Sequence, residues 1–308
     1  MLIVVTGAAG FIGSCMVAAL NAAGHKDLIL VDDFSRDDRR DNYQHKTYRE
    51  LVEREQFFAW IKGKEADIDW IIHLGARTDT TEQDASIFDR LNLSYSQDIW
   101  DLCSLHEIPL IYASSAATYG SGERGFDDRM SNLHRLRPLN PYGKSKHHFD
   151  LWALGQAVEP PAWAGLKFFN VYGPNEYHKK RMASVVYHTW RQIKETGGMK
   201  LFRSHRLDVA DGEQARDFIY VQDITKVILF LMQLRQFRGL FNLGTGTART
   251  FMELAKNVFY AMDLEPRISF IDTPADIRAT YQYFTEAQMV KIRDLGIWAF
   301  RKTLCRSR

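Results

Sequence analysis

The first half of the chain alternates short, continuous apolar runs with longer segments in which apolar residues recur every three or four positions. The apolar runs occupy 2–5, 27–33, 68–76, 108–116 and 166–173. Helical spacing is found at 11–20, with Gly24 as the stop, at 55–62, at 88–106 and from about 142. Continuous apolar strands separated by helices are typical of a parallel sheet covered on both faces. The pattern predicts an α/β fold with a doubly wound parallel sheet.

The second half continues with two further strand–helix units. They cover 217–232 and 239–259. Each unit has a short apolar run followed by apolar residues at helical spacing. We expect the first unit to rejoin the parallel sheet.

Three glycines stand between the first predicted strand and the first predicted helix. Gly7, Gly10 and Gly13 are spaced by three residues. Glycine lets backbone approach a pyrophosphate closely, and a helix N-terminus offers free N–H groups to its charge. The same spacing also suits a tight turn whose small residues serve packing alone. At a strand–turn–helix junction, with Asp32 ending the second strand, it favours a dinucleotide site.

The residues after the second strand bear on the choice between NAD and NADP. Asp32, followed by Asp33, would accept hydrogen bonds from the adenosine ribose, which favours NAD. Arg36, Arg39 and Arg40 follow, and a guanidinium there would hold a 2′-phosphate, although three nearby aspartates offset their charge. The sequence leaves the two cofactors close, with NADP slightly ahead.

A tyrosine and a lysine occur one helical turn apart in "NPYGKSKHH". Tyr142 and Lys146, at i and i+4, share one helix face. Lowering a tyrosine pKa from ~10 to near neutrality takes about 4 kcal/mol. A cation in a low-dielectric site, helped by a positively charged nicotinamide ring, could supply that energy. Ser115, at the end of the fourth strand, is placed to bridge the substrate oxygen and the phenol.

This constellation resembles the extended short-chain dehydrogenase/reductase enzymes that act on nucleotide sugars, over nearly the whole chain. The resemblance implies a Rossmann domain at 1–173, rejoined by about 217–243, and a smaller C-terminal α/β substrate-binding domain at 174–308. It also implies that Ser115, Tyr142 and Lys146 form the catalytic trio. The cofactor contacts that it implies are Phe11, Ile12, Gly75, Ala76, Asn92 and Val171.

The residues after Ser115 narrow the reaction. Sugar 4,6-dehydratases carry an Asp-Glu pair there to eliminate water, whereas this chain has Ala116 and Ala117. Without a carboxyl group to protonate a leaving hydroxyl, dehydration is disfavoured. The stretches "YASSAATYG", "FFNVYGPNEYHKKRMASVVYHTW" and "LFRSHRLDVADGEQARDFIYVQD" are similar to the ADP-L-glycero-D-manno-heptose 6-epimerase family.

This closer resemblance implies an NADP-dependent isomerase that oxidises C6 of an ADP-heptose transiently, in lipopolysaccharide core biosynthesis. It implies a second catalytic base at Lys179, because the ketone must turn away from Tyr142 before it is reduced. The substrate-binding residues that it implies are Asn170, Lys179, Arg181, His188, Phe202, Arg203, Ser204, Arg216 and Tyr281. A UDP-hexose 4-epimerase and a catalytically silent dinucleotide-binding scaffold remain as alternatives.

Composition adds few constraints. A net charge of +2 argues against nucleic acid as a partner, and the sequence contains neither a membrane span nor metal-ligand spacing. Three scattered cysteines, Cys15, Cys103 and Cys305, favour a reduced cytoplasmic setting. The oligomeric state is open between a monomer and a homo-oligomer. The final segment, 298–308, lacks the amphipathic helix that the related family leads us to expect, and this favours an altered terminus.

Overall fold

The computed structural model describes residues 1–234, 236–278 and 281–297. Its strands are β1 Leu2–Thr6, β2 Leu28–Asp32, β3 Glu50–Glu53, β4 Ile68–His73, β5 Leu110–Ser115, β6 Trp163–Phe168, β7 Asn170–Tyr172, β8 Met199–Phe202, β9 Ala215–Tyr220, β10 Arg238–Leu243, β11 Ala248–Thr250 and β12 Ile268–Ile271. Its α-helices are α1 Phe11–Ala22, α2 Phe57–Trp60, α3 Ala85–Phe88, α4 Tyr95–Leu105, α5 Pro141–Leu154, α6 Val185–Thr196, α7 Val221–Leu234, α8 Phe251–Ala261, α9 Ala275–Arg278 and α10 Val290–Asp294.

Within those residues, the central sheet has seven parallel strands in the order β10-β6-β5-β4-β1-β2-β3. Strands β1 and β2 are buried along their whole length, which explains their continuous apolar runs. The strand order reverses between β1 and β4. A crevice for a ligand is expected at the carboxyl ends of the strands at such a point. The predicted doubly wound α/β fold is confirmed.

The segment predicted as one strand at 166–173 is divided between two sheets. Strand β6 belongs to the central sheet, whereas β7 pairs with β9 in a three-stranded sheet, β11-β9-β7. Strands β8 and β12 form a further parallel pair. Leu201 and Phe218, from β8 and β9, are buried in a second hydrophobic cluster with α8. The smaller core therefore has its own sheets and its own apolar contacts.

The expectation that the 217–232 unit rejoins the parallel sheet is wrong for its strand. Strand β9 pairs with β7 and β11, because β10 occupies the edge position beside β6 along all six of its residues. Helix α7, from the same unit, packs on α1 beside the central sheet. Of the segment 217–243, the helix and β10 therefore rejoin the first lobe, and the strand before them does not.

One predicted helix is shorter than its apolar periodicity indicated. The segment 55–62 contains only α2, after a 3₁₀ turn. The predicted helix at 88–106 is present: it runs from Phe88, at the end of α3, through a π-helical turn, Asp89–Ser94, into α4. A π turn within a helix often marks a functional position, and this one contains Asn92.

Some expectations concern the whole chain rather than the sheet. In the described ranges, no helix has the length and apolarity needed to cross a membrane. The same part of the chain contains no group of three potential His, Cys, Asp or Glu metal ligands. The terminal segment 298–308, with Cys305, lies outside the described residues, so the prediction about it stays a prediction.

Candidate active site

The glycine turn after β1 is built for close backbone approach. Gly7 has a φ of 68°, and a Cβ there would lie 2.6 Å from the Gly75 backbone nitrogen. A Cβ on Gly13 would lie 2.0 Å from the Gly7 carbonyl oxygen. Gly10 precedes α1 without a side-chain cap, so the N–H groups of the first turn face outward for an anion. The turn therefore fits a dinucleotide pyrophosphate.

A cavity of about 600 Å³ opens above this turn. The predicted cofactor residues that line it are Gly7, Gly10, Phe11, Ile12, Gly13, Asp32, Asp33, Arg39, Gly75 and Ala76. The volume is typical of pockets for small molecules and cofactors. The other predicted cofactor contacts, Asn92, Tyr142, Lys146 and Val171, are not among the residues that line it.

Asp32 and Arg39 form a largely buried ion pair at one side of this cavity. Arg39 Nη1 lies 3.0 Å from Asp32 Oδ1, and Asp32 Oδ2 accepts a hydrogen bond from the Ala9 N–H at 2.9 Å. Arg39 Nε is buried and has no protein partner in the described chain. Arg36 instead pairs with Asp38 at the surface. Arg39 is therefore the arginine of this loop that has a buried donor left for a ligand.

The proposed catalytic trio comes from β5 and α5. Ser115 ends β5, and its Oγ accepts a hydrogen bond from the Ala117 N–H at 3.1 Å. Helix α5 begins at Pro141, after Asn140, whose side chain caps the Gly143 N–H at 2.8 Å. This start places Tyr142 in the first turn and Lys146 in the second. Ser115 is near enough to the Tyr142 phenol to act on its pKa.

The protein groups around the trio shift the pKa values of Tyr142 and Lys146 in opposite directions. Burial raises the pKa of Tyr142, and the hydrogen bond with Ser115 partly offsets the rise. Burial lowers the pKa of Lys146 to about 8, and the charge of Asp150 opposes that change. A usable phenolate therefore needs added positive charge, which the resemblance assigns to Lys146 together with a bound nicotinamide.

Asn92 links the wall of the cavity to helix α5 through hydrogen bonds. Its Oδ1 accepts the Arg77 N–H at 2.7 Å, and its Nδ2 donates to the Ser145 hydroxyl at 3.0 Å. Ser145 Oγ in turn donates to the Tyr142 carbonyl at 2.8 Å. Arg77 lines the cavity. The fully buried amide thus connects the cavity wall to the turn that carries Tyr142, and its contact with the cofactor stays a prediction.

Lys179 lies on the dinucleotide side of the site. Its Nζ is 5.5 Å from the centre of the Phe11 ring, and both residues line the cavity. Burial lowers the pKa of Lys179, and Glu176 opposes the shift. Exposed Arg181 lines the same cavity. A half-buried lysine with a lowered pKa is suited to exchange a proton.

Arg216 and Tyr281 lie together in the second lobe. Arg216 Cζ is 5.6 Å from the centre of the Tyr281 ring, and the Tyr281 ring is 6.4 Å from that of Phe202. Burial lowers the pKa of Arg216 to about 10. Its hydrogen bonds run to backbone carbonyls, and no carboxylate in the described residues is within ion-pair distance of it. The neighbouring Asp217 instead accepts hydrogen bonds from Thr245, Gly246 and Ala287.

The other predicted sugar-site residues have their own partners. Exposed Asn170 accepts a hydrogen bond from Thr285 at 3.4 Å, and His188 Nε2 is 3.3 Å from the Arg181 carbonyl. Arg203 pairs at the surface with Asp211 and Asp272. The Ser204 N–H donates to Asp211 at 2.7 Å. Val171, predicted as a cofactor contact, packs beside Phe11 and Cys15. These contacts leave the substrate roles of these residues as predictions.

The structure also shows residues that the sequence did not single out. Asn42 is fully buried and its Nδ2 donates to the Ala9 carbonyl at 2.9 Å. The Tyr177 hydroxyl donates to Asn42 Oδ1 at 2.8 Å. His178 lines the cavity next to Lys179. These three close the segment 174–182 over the glycine turn, and no local spacing marks them.

The chain is similar to known proteins along most of its length. Residues 3–244 match the model of the NAD dependent epimerase/dehydratase family. A Fusobacterium nucleatum protein named ADP-L-glycero-D-manno-heptose-6-epimerase is 45% identical over 305 residues, covering 96% of this chain and 92% of the relative. A Nitratidesulfovibrio vulgaris protein of the same name is 48% identical over 295 residues, covering 95% and 91%.

Solved structures share the fold. The Helicobacter pylori ADP-L-glycero-D-manno-heptose-6-epimerase superposes with a TM-score of 0.80 at 24% identity, covering 96% of this chain and 90% of that one. A Thermus thermophilus UDP-glucose 4-epimerase in complex with NAD gives 0.74 at 23% identity, covering 96% and 93%. The parallel central sheet agrees with this match, and the chain belongs to the NAD dependent epimerase/dehydratase family.

Proposed function

We propose that this chain interconverts ADP-D-glycero-D-manno-heptose and ADP-L-glycero-D-manno-heptose by transient oxidation at C6. The observation that carries the proposal is the placement of Ser115 at the carboxyl end of β5, together with Tyr142 and Lys146 on successive turns of α5. Two relatives with 45% and 48% identity carry the name of this activity. An NAD(P) dinucleotide bound above the glycine turn supplies the hydride acceptor and donor.

The residues of the trio have separate tasks. Tyr142 takes the proton of the C6 hydroxyl as that carbon becomes a ketone, while Ser115 donates a hydrogen bond to the same oxygen. Lys146 holds the nicotinamide ribose and adds positive charge near the phenol. Ala116 and Ala117 bring no carboxyl group to the oxygen. The site therefore favours oxidation and return over elimination of water.

Lys179 is proposed as the second acid–base group. Inverting C6 requires the ketone to turn, so its oxygen leaves Tyr142 and another group must return the proton. The lowered pKa of Lys179 and its place on the cavity wall support this role. Lys179→Met should lower kcat by about 100-fold, whereas Lys194→Met, on the exposed face of α6, should not. Wild-type kcat in Lys179→Met would remove the second base from the mechanism.

Arg216 is proposed to clamp the substrate diphosphate. A buried guanidinium without a carboxylate partner is expensive unless an anion reaches it. Its planar fork matches phosphate oxygens bidentately. Tyr281 and Phe202 would offer aromatic faces beside it. We place Asn170, Arg181, His188, Arg203 and Ser204 around the same substrate on the resemblance alone.

NADP is proposed as the cofactor. Arg39 neutralises Asp32, which otherwise would repel a 2′-phosphate, and its buried Nε is free for that phosphate. A cytoplasmic setting is proposed from the buried free thiols of Cys15 and Cys103. The partner is the nucleotide sugar, and a homo-oligomer stays a prediction.

The decisive experiment follows the C6 proton by NMR after the dinucleotide-loaded protein receives ADP-D-glycero-D-manno-heptose. We expect interconversion by the wild type and its loss in Tyr142→Phe, with the fold kept in both. UDP-hexoses offered in parallel test the 4-epimerase alternative. Cofactor binding without turnover of any nucleotide sugar would favour the silent scaffold instead.

A further inference from the structure

Helix α5 carries a third ionisable residue in line with the trio. Asp150 follows Lys146 by four positions, as Lys146 follows Tyr142. Residues at this interval lie on one face of a helix. Asp150 is fully buried. The face of α5 that carries Tyr142 and Lys146 therefore continues to the buried carboxylate of Asp150. No sequence motif marks this carboxylate, and the proposed mechanism gives it no role.

Three donors hold this carboxylate. Lys167 Nζ and Ser114 Oγ lie 2.5 and 2.7 Å from Asp150 Oδ2, and the Tyr112 hydroxyl lies 3.1 Å from Oδ1. Lys167, which is also fully buried, donates to Thr118 Oγ1 at 2.8 Å. Tyr112 and Ser114 belong to β5, and Lys167 belongs to β6. The network joins the middle of α5 to the strand that ends at Ser115.

Stability alone is a weak reason for such a pair. Desolvation of two buried charges offsets most of their attraction, and apolar residues of similar volume often stabilise a core as well or better. The first turns of α5 and the end of β5 carry the groups that must meet one substrate oxygen. A charged hydrogen-bond network between α5 and β5 fixes the distance between these two elements. It also fixes the electrostatic field along the face of α5 that carries Tyr142 and Lys146.

We propose that Asp150 is a positioning residue for the acid–base pair: it locks the Tyr142–Lys146 face of α5 onto β5 and keeps the buried Lys146 amine protonated. The inference rests on the proposed function, in which those two residues exchange and stabilise the proton. The positive charge of Lys167 partly offsets the negative charge of Asp150. Asp150 nevertheless still favours the protonated form of Lys146.

The charges around Lys146 agree with this role. Burial lowers the pKa of Lys146 to about 8, and Asp150 acts against the lowering. Burial raises the pKa of Tyr142, and Asp150 adds to the rise. From β4, His73 faces Lys146, and burial together with that amine lowers the pKa of His73 to about 3, so His73 is neutral.

The remaining ionisable neighbours do not replace Asp150. On α5 itself, burial lowers the pKa of His147 to about 4. On β5, burial raises the pKa of Tyr112, which is therefore neutral. On β6, Lys167 forms the ion pair with Asp150. Asn92 and Ser145, which also pack here, do not titrate. In the described part of the chain, Asp150 is thus the anion that acts on both members of the pair.

The test is the pH dependence of kcat for the dinucleotide-loaded enzyme. Removing the carboxylate charge lowers the pKa of both Tyr142 and Lys146. Asp150→Asn should therefore move the acidic and the alkaline limbs down by about one pH unit, as expected for a charge one helical turn away that is partly compensated. Lys167→Met removes the cation that pairs with the Asp150 carboxylate. It should move both limbs of the kcat profile to higher pH.

Matched variants separate this effect from loss of packing. Asp150→Asn/Lys167→Met removes both charges of the buried Asp150–Lys167 pair and keeps most of the volume. It should move the limbs down, but less than Asp150→Asn does. Tyr112→Phe removes a hydrogen bond of the network without a charge and should leave both limbs in place. Limbs at wild-type pH in both Asp150→Asn and the double variant would overturn the proposal.

A second readout does not need turnover. The titration of Lys146 can be followed by NMR of ¹³C-lysine-labelled protein saturated with dinucleotide, with Lys146→Arg to assign the signal. Its midpoint should fall in Asp150→Asn, and an unchanged midpoint would overturn the proposal. If the wild type fails to epimerise ADP-heptose, the proposed function falls, and this titration still decides the role of Asp150.

Discussion

Tyr177→Phe should speed dinucleotide release while leaving the fold intact. The segment 174–182 closes over the glycine turn, and the Tyr177 hydroxyl donates to Asn42 Oδ1 at 2.8 Å. Asn42 Nδ2 donates to the Ala9 carbonyl at 2.9 Å. Ala9 lies in the turn that would carry the pyrophosphate. The phenol therefore holds the segment to the part of the chain that a leaving dinucleotide must pass.

The structure sets the size of the effect. A neutral hydrogen bond contributes about 0.5–1.5 kcal/mol net, and Tyr177 is 41% exposed, so the low end applies. Loss of about 0.5–1 kcal/mol corresponds to release that is about 2- to 5-fold faster. Asn42 is fully buried and makes both bonds. Asn42→Ala should cost about 2 kcal/mol and speed release about 30-fold.

The assay loads each protein with reduced dinucleotide, adds an excess of a competing nucleotide and follows the loss of bound fluorescence. Tyr260→Phe, at an exposed position on α8, is the matched control and should release like the wild type. Thermal unfolding of the loaded and unloaded proteins reports stability separately. Wild-type release rates in both Tyr177→Phe and Asn42→Ala would refute the role of this segment in retention.

Two further substitutions test the cofactor site. Gly13→Ala puts a Cβ 2.0 Å from the Gly7 carbonyl oxygen, so it should destabilise the chain by about 1–3 kcal/mol in calorimetry and weaken dinucleotide binding, whereas Gly155→Ala, with no atom nearer than 3.5 Å, should do neither. Arg39→Ala should weaken NADP more than NAD in titration calorimetry, because it removes the buried donor left for a 2′-phosphate. Equal losses for the two nucleotides would contradict the choice of NADP.

Features carried by neighbouring residues were determined by the sequence itself. Apolar runs and helical spacing predicted the parallel sheet, because burial on both faces of a strand leaves a continuous signature. The spacing of Gly7, Gly10 and Gly13 predicted the turn, since only glycine leaves room for the backbone contacts found there. Tyr142 and Lys146 lie on one face of a helix because of their i, i+4 spacing, whatever the helix packs against. Short-range geometry thus fixed the cofactor turn and most of the proposed trio.

Features that depend on distant partners were decided only by the tertiary structure. Strand β9 lies outside the central sheet, because β10 occupies the edge position beside β6. Tyr177 and Asn42 lie 135 residues apart in the chain, so no local pattern could pair them. Burial raises the pKa of Tyr142, and Lys167, the cation that pairs with Asp150, lies on β6. Desolvation and long-range charge pairing arise from packing, which a local pattern does not encode.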